Sequence, residues 1–188
     1  MAYFPAFLKF DEIDILIVGG GYIATEKVEK LLDFTKRLTI IAPKLSLEMA
    51  NYIKENNLTY HDRVYKEGDI NAFGVVIIAV DDIPLQAEIY QESRSIRCFC
   101  NAVDSVDYCD FIFPSYVKKE NLTVAVSTSG TSPAFAKHFR RYLETVIPDG
   151  VSTFLEEMKA LRKTMPKGKE RMQFLDKKAE DYINSWKD

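Results

Sequence analysis

The stretch Ile15–Ala24, ILIVGGGYIA, decides the fold of this chain. An apolar run of strand type ends in three glycines, and a segment with helical spacing follows them. In a G-x-G-x-x-A arrangement Gly19 permits a tight turn, and the missing side chain of Gly21 lets a pyrophosphate approach the backbone. Ala24 lets the helix pack closely on the strand, and the helix N-terminus offers unpaired N–H groups to an anion. The stretch therefore predicts a strand, a phosphate-binding turn and a helix; the alternative is a tight turn without a ligand.

The composition limits the class of protein. With 188 residues, 47% of them hydrophobic, the chain is long enough for one domain, or one domain with a small appendage. Its net charge of −3 does not favour binding to nucleic acid through overall electrostatic attraction. Any anionic ligand must therefore be bound by basic residues close to its site. Three clustered cysteines, Cys98, Cys100 and Cys109, do not suggest a disulfide framework. No secretory signal or membrane-length apolar run is present, and we expect a soluble, cytoplasmic protein.

Strands and helices alternate along the first part of the chain. The stretch Val75–Val80 is continuously apolar and rich in β-branched residues, which is typical of a central parallel strand buried on both faces. The alternation predicts an α/β fold, a Rossmann-like, doubly wound parallel sheet. The other predicted strands are Asp14–Val18, Leu38–Ala42, Leu58–Asp62, Phe99–Val103 and Phe111–Phe113, and the predicted helices are Thr25–Phe34, Leu47–Glu55 and Ile83–Ser93.

The pattern changes near Pro114. A strand over Leu122–Ser127 leads through a Ser/Thr/Gly turn to a helix over Ala134–Val146, for which Ser132 is a suitable N-cap. Two amphipathic helices follow, Val151–Lys163 and Glu170–Trp186. This tail is too short for a separate core, so it must pack on the first domain or on a second subunit. We expect three parts: a nucleotide-binding domain over residues 1–113, a small α+β region over 114–148 and a helical tail over 149–188.

Polar residues follow the predicted strands. The second strand ends in Ala42-Pro43-Lys44, where many such sheets carry a carboxylate for the ribose of NAD. Lys44 could meet the 2′-phosphate of NADP or be a solvated lysine, so the residues leave NAD and NADP open. Asp81 and Asp82 follow the central strand and could face a cofactor ribose, or Asp82 could only cap the next helix.

Asp104 ends the predicted strand Phe99–Val103, at the carboxyl edge of the sheet. A carboxylate there is well placed as a general base or metal ligand, although it could also cap a turn. Neither the two histidines, His61 and His138, nor the cysteines have the spacing of a metal-ligand cluster, and we predict no resident metal site.

Several segments match one known family in the same order along the chain: LIVGGGYIATEKVEKLL (16–32), AVDD (79–82), FCNAVD (99–104), FIFPS (111–115) and VAVSTSGTSPAFAKHFR (124–140). Together they resemble the precorrin-2 dehydrogenase family, the dehydrogenase–ferrochelatase module of sirohaem synthesis. The resemblance runs in order to about Pro148, and the last forty or so residues match only as a helical tail. The glycine motif alone is generic, but its combination with the later segments is specific.

The resemblance implies an activity. Family members oxidise precorrin-2 to sirohydrochlorin with NAD as the hydride acceptor, and some also insert ferrous iron, for which no permanent metal site is needed. It implies that Asp104 is the catalytic aspartate, and that residues 114–148 build an intertwined homodimer. The positions that match the family's cofactor contacts are Gly19, Gly21, Tyr22, Ile23, Pro43 and Lys44.

A tetrapyrrole with many carboxylates needs cationic and N–H donors. The turn and helix after the last strand offer hydroxyls, a helix N-terminus and three basic residues at i, i+3 and i+4. The alternatives are a hydrogen-bonded turn and a solvated basic face. The candidate substrate-binding residues are Ser127, Thr128, Ser132, Lys137, Arg140 and Arg141. Three other functions stay open: an NADP-dependent oxidoreductase that uses Lys44, an NAD(P)-sensing regulatory module, and a family member that has kept only chelatase or tetrapyrrole-carrier activity.

Overall fold

A computed structural model describes residues 3–187 of the chain. The chain divides into two compact units, Tyr3–Ile112 and the part from Phe113 onward, and each is described by itself. No helix within residues 3–187 is both long enough and apolar enough to cross a membrane.

The first unit is built on a five-stranded, entirely parallel sheet in the order β3-β2-β1-β4-β5. The central strand β1 lies between β2 and β4, so Ile17 stands opposite both Ile40 and Ile77. All four residues of β1 and of β4 are buried, as their continuous apolar sequence predicts. The strands are β1 (Ile15–Val18), β2 (Leu38–Ile41), β3 (Thr59–His61), β4 (Val75–Ile78) and β5 (Phe99–Ala102).

Helices cover the faces of this sheet, because each connection between neighbouring parallel strands must cross over from one end of the sheet to the other. Helices α1 (Tyr22–Leu32) and α2 (Leu47–Asn56) connect β1, β2 and β3. Helix α3 (Ile83–Ile96) connects β4 to β5 on the other face, where Ile89 packs among alternate strand residues such as Leu16 and Val76. The Rossmann-like α/β fold is therefore confirmed.

One predicted strand is absent, and two helix ends are wrong. Helix α3 continues to Ile96 and does not end at Ser93. Helix α1 begins at Tyr22, inside the glycine motif, and not at Thr25. Phe111–Phe113 is not a strand, because Asn101 holds this segment by its side chain: Nδ2 donates to the carbonyl of Phe111 at 2.8 Å, and the nearby pairing with Cys109 is a single isolated bridge.

The second unit combines a hairpin with three helices. Its strands β6 (Ser115–Lys119) and β7 (Leu122–Val126) are antiparallel, and the sequence analysis did not predict β6. Helices α4 (Pro133–Val146), α5 (Val151–Thr164) and α6 (Lys169–Asn184) follow. Tyr182 and Trp186, at the end of the chain, pack on a small core that the three helices share with the hairpin, and its fully buried members are Val117, Ile147 and Val151.

Candidate cofactor site and catalytic aspartate

The glycine turn between β1 and α1 is tightly enclosed at two of its three glycines. Gly19 has a φ of +124°, and a Cβ there would lie 2.3 Å from the carbonyl oxygen of Ala79. A Cβ at Gly20 would lie 2.3 Å from the carbonyl oxygen of Lys44. Real Cβ atoms do not come so close, so the turn reaches its position between the ends of β2 and β4 only with glycine at both places.

Gly21 differs from its two neighbours. It is exposed, its φ is an ordinary −81°, and a Cβ added there would meet nothing within 4 Å. It is the N-cap of α1, and neither a capping side chain nor an acidic residue occupies the first turn. The space in front of Gly21 and the N–H groups of the helix end therefore suit the pyrophosphate of a dinucleotide.

Ser46 braces this turn, a role that the sequence analysis missed. Its N–H donates to the carbonyl of Gly20 at 2.8 Å, and its hydroxyl caps α2 by accepting from Met49 N at 3.0 Å. The same hydroxyl bonds to that of Thr25 at 2.9 Å, and Thr25 in turn donates to the carbonyl of Gly21 at 2.9 Å. The N-termini of α1 and α2 are thereby tied together. The only sequence signal was a serine before a helical segment, which predicts a cap and no contact with the turn.

The other predicted cofactor residues lie in the loops at this edge of the sheet. Tyr22 and Ile23 open α1 with exposed side chains, and Pro43 and Lys44 are exposed just beyond β2. Since the carboxyl ends of parallel strands meet at one edge, these two loops lie at the place where open α/β sheets bind ligands.

The two aspartates after β4 have different surroundings. Asp82 is the N-cap of α3, where its Oδ1 accepts from Leu85 N at 3.0 Å. Asp81 is exposed in the same loop. Of the two roles that the sequence left open for Asp82, capping is present in the structure, and Asp81 is the freer of the two carboxylates to meet a ribose.

Asp104 lies two residues beyond β5, exposed, with a φ of +61°. A non-glycine residue in the left-handed region is uncommon, and aspartate is among those that tolerate it best. Burial lowers the pKa of the half-buried Lys27 amine of α1, and Lys30 lowers it further, while the charge of Glu26 and then that of Asp104 oppose the shift. The sequence analysis did not single out Lys27, because the sequence alone does not show which loop lies beside this helix.

Cys98 and Cys100 belong to the buried core, whereas Cys109 is only partly buried. Burial raises the pKa of the Cys98 thiol to about 11 and that of Cys100 to about 12. Cys109 is a free thiol as well, and its pKa is also raised by burial. Within residues 3–187, His, Cys, Asp and Glu side chains do not gather in groups of three that could hold a metal ion.

The predicted substrate hydroxyls lie together in the turn of the second unit between β7 and α4. Thr128 Oγ1 accepts from Ser132 N at 3.0 Å, and Ser127 Oγ accepts from Ser129 N at 3.0 Å. Ser132 caps α4 by accepting from Phe135 N at 3.2 Å, as predicted. Each hydroxyl has used one acceptor position and keeps its own proton for donation.

The three basic residues of α4 are not equivalent. Arg140 forms an ion pair with Glu144 one turn later, so its charge is partly compensated. Lys137 and Arg141 are exposed and lie one turn apart on the same side of the helix. These two are therefore the cations of α4 best placed to meet an anionic ligand.

Two family models match the chain. A model described as putative NAD(P)-binding matches residues 6–115, more than half of the chain, and includes the glycine turn and Asp104. The chain belongs to this putative NAD(P)-binding family. As a member of it, the chain is expected to take a nicotinamide dinucleotide as its cofactor, and the open space at Gly21 and the uncapped end of α1 fit that group. The second model, described as the central part of a sirohaem biosynthesis protein, matches residues 119–145.

The chain is also similar to curated siroheme synthases and to one solved structure. A siroheme synthase of Pseudoalteromonas atlantica is 33% identical over 165 residues, which are 88% of this chain and 36% of that protein. One of Methylococcus capsulatus is 32% identical over 184 residues, 96% of this chain and 39% of that protein. This member of the family thus spans little more than a third of the length of these curated relatives. The solved structure of SirC, a precorrin-2 dehydrogenase, has the same fold, with a TM-score of 0.78 at 22% identity over 93% of this chain and 88% of that one.

Proposed function

We propose that this protein oxidises precorrin-2 to sirohydrochlorin with NAD as the hydride acceptor. The observation that carries the proposal is the pairing, at one edge of one parallel sheet, of an open glycine turn with the exposed carboxylate of Asp104. The match to the sirohaem model and the siroheme synthase relatives support the choice of substrate.

In this proposal the chain's own residues bind the cofactor and accept the proton from the substrate. Bound NAD supplies a nicotinamide ring that accepts the hydride. Gly21 leaves room for the pyrophosphate, and the N–H groups at the start of α1 bind it. Asp104 accepts, on a carboxylate oxygen, the proton that leaves the substrate. The amine of Lys27 lies near enough to interact with the charge of Asp104.

The second unit supplies groups for the carboxylates of the tetrapyrrole. Lys137 and Arg141 offer positive charge, and the hydroxyls of Ser127, Thr128 and Ser132 offer donors. In this proposal the residues bind the periphery of the substrate and take no part in proton transfer.

The protein acts as a homodimer in this proposal. Helix α4 presents an exposed apolar stripe with a spacing of three and four residues, and its aromatic rings stack at 5.8 and 6.2 Å between centroids. A soluble helix normally covers such a face, and a second copy of the chain offers the same face in return. The stripe consists of Phe135, Phe139, Tyr142 and Val146.

Two further features belong to the proposal. Ferrous iron is a substrate that enters sirohydrochlorin, with Asp104 helping to remove the pyrrole protons as the metal binds. The cytoplasm is the site of action, since all three cysteines are free thiols, as they are in a reducing compartment.

The test is an anaerobic assay with enzymatically made precorrin-2, in which sirohydrochlorin absorbance is followed with NAD and, separately, with NADP before ferrous iron is added. We expect NAD-dependent oxidation, and Asp104→Asn to lower turnover by about 10²-fold with little change in NAD affinity. Asparagine suits this position because it also tolerates a positive φ. Asp107→Asn, an exposed carboxylate three residues away, is the matched control. If Asp104→Asn turns over as fast as the wild type, Asp104 is not the catalytic residue. If the wild-type protein is folded and binds NAD but does not oxidise precorrin-2, then precorrin-2 is not its substrate.

A further inference from the structure

Gln86 is a buried polar side chain that the proposed reaction has not used. It lies in α3, is only 2% exposed, and its amide makes three hydrogen bonds. Nε2 donates to the carbonyl of Val80 at 2.8 Å and to that of Val103 at 3.5 Å, and Oε1 accepts from the hydroxyl of Ser105. A buried amide needs hydrogen-bond partners, but any partners in the core would serve. All three partners of Gln86 instead lie in the two loops that follow β4 and β5, at the candidate site.

The bonds of Gln86 enclose Asp104. Val103 and Ser105 are its two neighbours in the chain, and Gln86 holds both of them. Asp104 itself has the left-handed φ of +61°, a conformation that persists only where the surroundings hold it. Gln86 therefore holds the chain before Asp104 by the carbonyl of Val103 and the chain after it by the side chain of Ser105, and so fixes the place from which the carboxylate leaves the backbone.

The same side chain reaches toward the glycine turn. Val80, whose carbonyl accepts the shortest of the donated bonds, lies directly against Gly19: a Cβ on Gly19 would be 3.4 Å from Val80 Cγ1 and 2.3 Å from the carbonyl oxygen of Ala79. A continuous set of contacts therefore runs from the glycine turn through residues 79–80 to Gln86, and from Gln86 to both sides of Asp104.

We propose that Gln86 is a positioning residue that fixes the Asp104 carboxylate relative to the glycine turn, where the dinucleotide binds. This inference rests on the proposed function, in which Asp104 accepts the substrate proton. Gln86 acts through Asp104 and contacts neither ligand, so its loss lowers kcat and leaves KM and cofactor affinity nearly unchanged.

The first variant is Gln86→Met, which keeps the length and volume of the side chain but removes all three hydrogen bonds. We expect kcat to fall by about tenfold to a hundredfold, with less than a threefold change in KM for precorrin-2 and in Kd for NAD. The control is Ile89→Val, a buried residue of the same helix that loses one methyl group in the core and has no bond to the loops. It is expected to lower the melting temperature without changing kcat.

A double-variant cycle separates positioning from general destabilisation. Ser105→Ala removes only the bond to Oε1, and we expect it to lower kcat by a few fold. If the two side chains act as one clamp, Gln86→Met/Ser105→Ala has the kcat of Gln86→Met alone. Hydrogen exchange gives a readout that needs no substrate: the amides of residues 103–108 should exchange faster in Gln86→Met than in Ile89→Val.

Three results would overturn the inference while leaving the proposed function intact: wild-type kcat in Gln86→Met, independent effects that multiply in the double variant, or unchanged exchange over residues 103–108. A wild-type protein that binds NAD and does not oxidise precorrin-2 removes the proposed function, and with it the catalytic part of the inference. The exchange experiment still tests whether the clamp exists in that case, so the two failures are distinguishable.

Discussion

Adjacent residues of the glycine turn have opposite tolerances for a side chain, and this yields a matched pair of variants. In Gly21→Asp the new carboxylate enters open space, so the fold is kept, but its charge occupies the pyrophosphate position. We expect the Kd for NAD to rise at least tenfold, a loss of about 1.4 kcal/mol or more. The melting temperature should stay the same or rise slightly, because aspartate is a good N-cap for α1.

Gly20→Ala is the counterpart. Its Cβ would lie 2.3 Å from the carbonyl oxygen of Lys44 and 2.7 Å from the side chain of Leu45, so the backbone must move. We expect destabilisation of about 1–3 kcal/mol, typical of overpacking. Calorimetry and NAD titration on both variants measure the two effects; equal NAD affinity in Gly21→Asp and wild type would contradict the placement of the pyrophosphate.

The sequence could predict only part of this residue-scale behaviour. Gly19 and Gly21 follow from the spacing of the motif, whereas Asp104 became the catalytic candidate through the family resemblance, since its place after a strand equally suits a turn cap. The roles of Gly20 and Gln86 could not be predicted from the sequence. Gly20 is limited by the carbonyl of Lys44, and Gln86 bonds to the carbonyls of Val80 and Val103; these groups become neighbours only when the sheet forms. Residues that define a local turn are visible in the sequence, while those that join separate loops are not.

At the scale of elements, the sequence predicted all five strands of the parallel sheet and β7, and it missed β6. Partial burial alone does not explain the miss, because β3 and β7 were predicted although none of their residues is fully buried. Strands β1 and β4 are continuous apolar runs, and no other local structure suits them as well. Strand β6, SYVKK, has one fully buried residue, Val117, and its sequence resembles a polar loop. Phe111–Phe113 has the composition of a strand, but the backbone pairing with β5 stops at the single bridge between Asn101 and Cys109. Pro114, which follows this segment, has no N–H to donate to a neighbouring strand.

The apolar stripe of α4 yields a prediction at this scale. The test variant is Phe135→Asp, at a residue that lies in the first turn of α4 and is 60% exposed. An acidic side chain there favours the helix through its dipole, so the fold is retained while a charge enters the stripe. We expect Phe135→Asp to shift the protein from dimer to monomer at micromolar concentration, as measured by sedimentation or light scattering.

The control for this shift is Ala134→Asp. It places the same charge one residue earlier on α4, at an exposed position about a quarter-turn away from the stripe. The dimer should persist in this variant. A monomeric wild type, or a Phe135→Asp protein that remains dimeric, would contradict the assignment of the stripe to a second copy of the chain.

At the scale of the whole molecule, the core thiols predict how stability depends on pH. In the folded chain the pKa of Cys98 is about 11 and that of Cys100 about 12, raised by burial from an ordinary value near 9. Below pH 9 both thiols are protonated in the folded and unfolded states, and the folded state has its full stability. Above pH 9 only the unfolded state releases these protons, so the free energy of unfolding falls as pH rises towards 11–12, by up to about 1.4 kcal/mol per pH unit for each thiol.

Urea unfolding at a series of pH values from 8 to about 11 measures this slope. Cys98→Ala/Cys100→Ala should be less stable than wild type at pH 8 but lose less stability as the pH rises. Val76→Ala is the matched control, since Val76 stands opposite Cys100 in the sheet, is fully buried, and does not titrate. Tyr65, whose pKa is raised by burial and by its bond to Glu92, contributes to the alkaline slope of all three proteins. The difference between the two variants therefore isolates the thiols, and identical slopes would mean that the thiols titrate alike in the folded and unfolded chain.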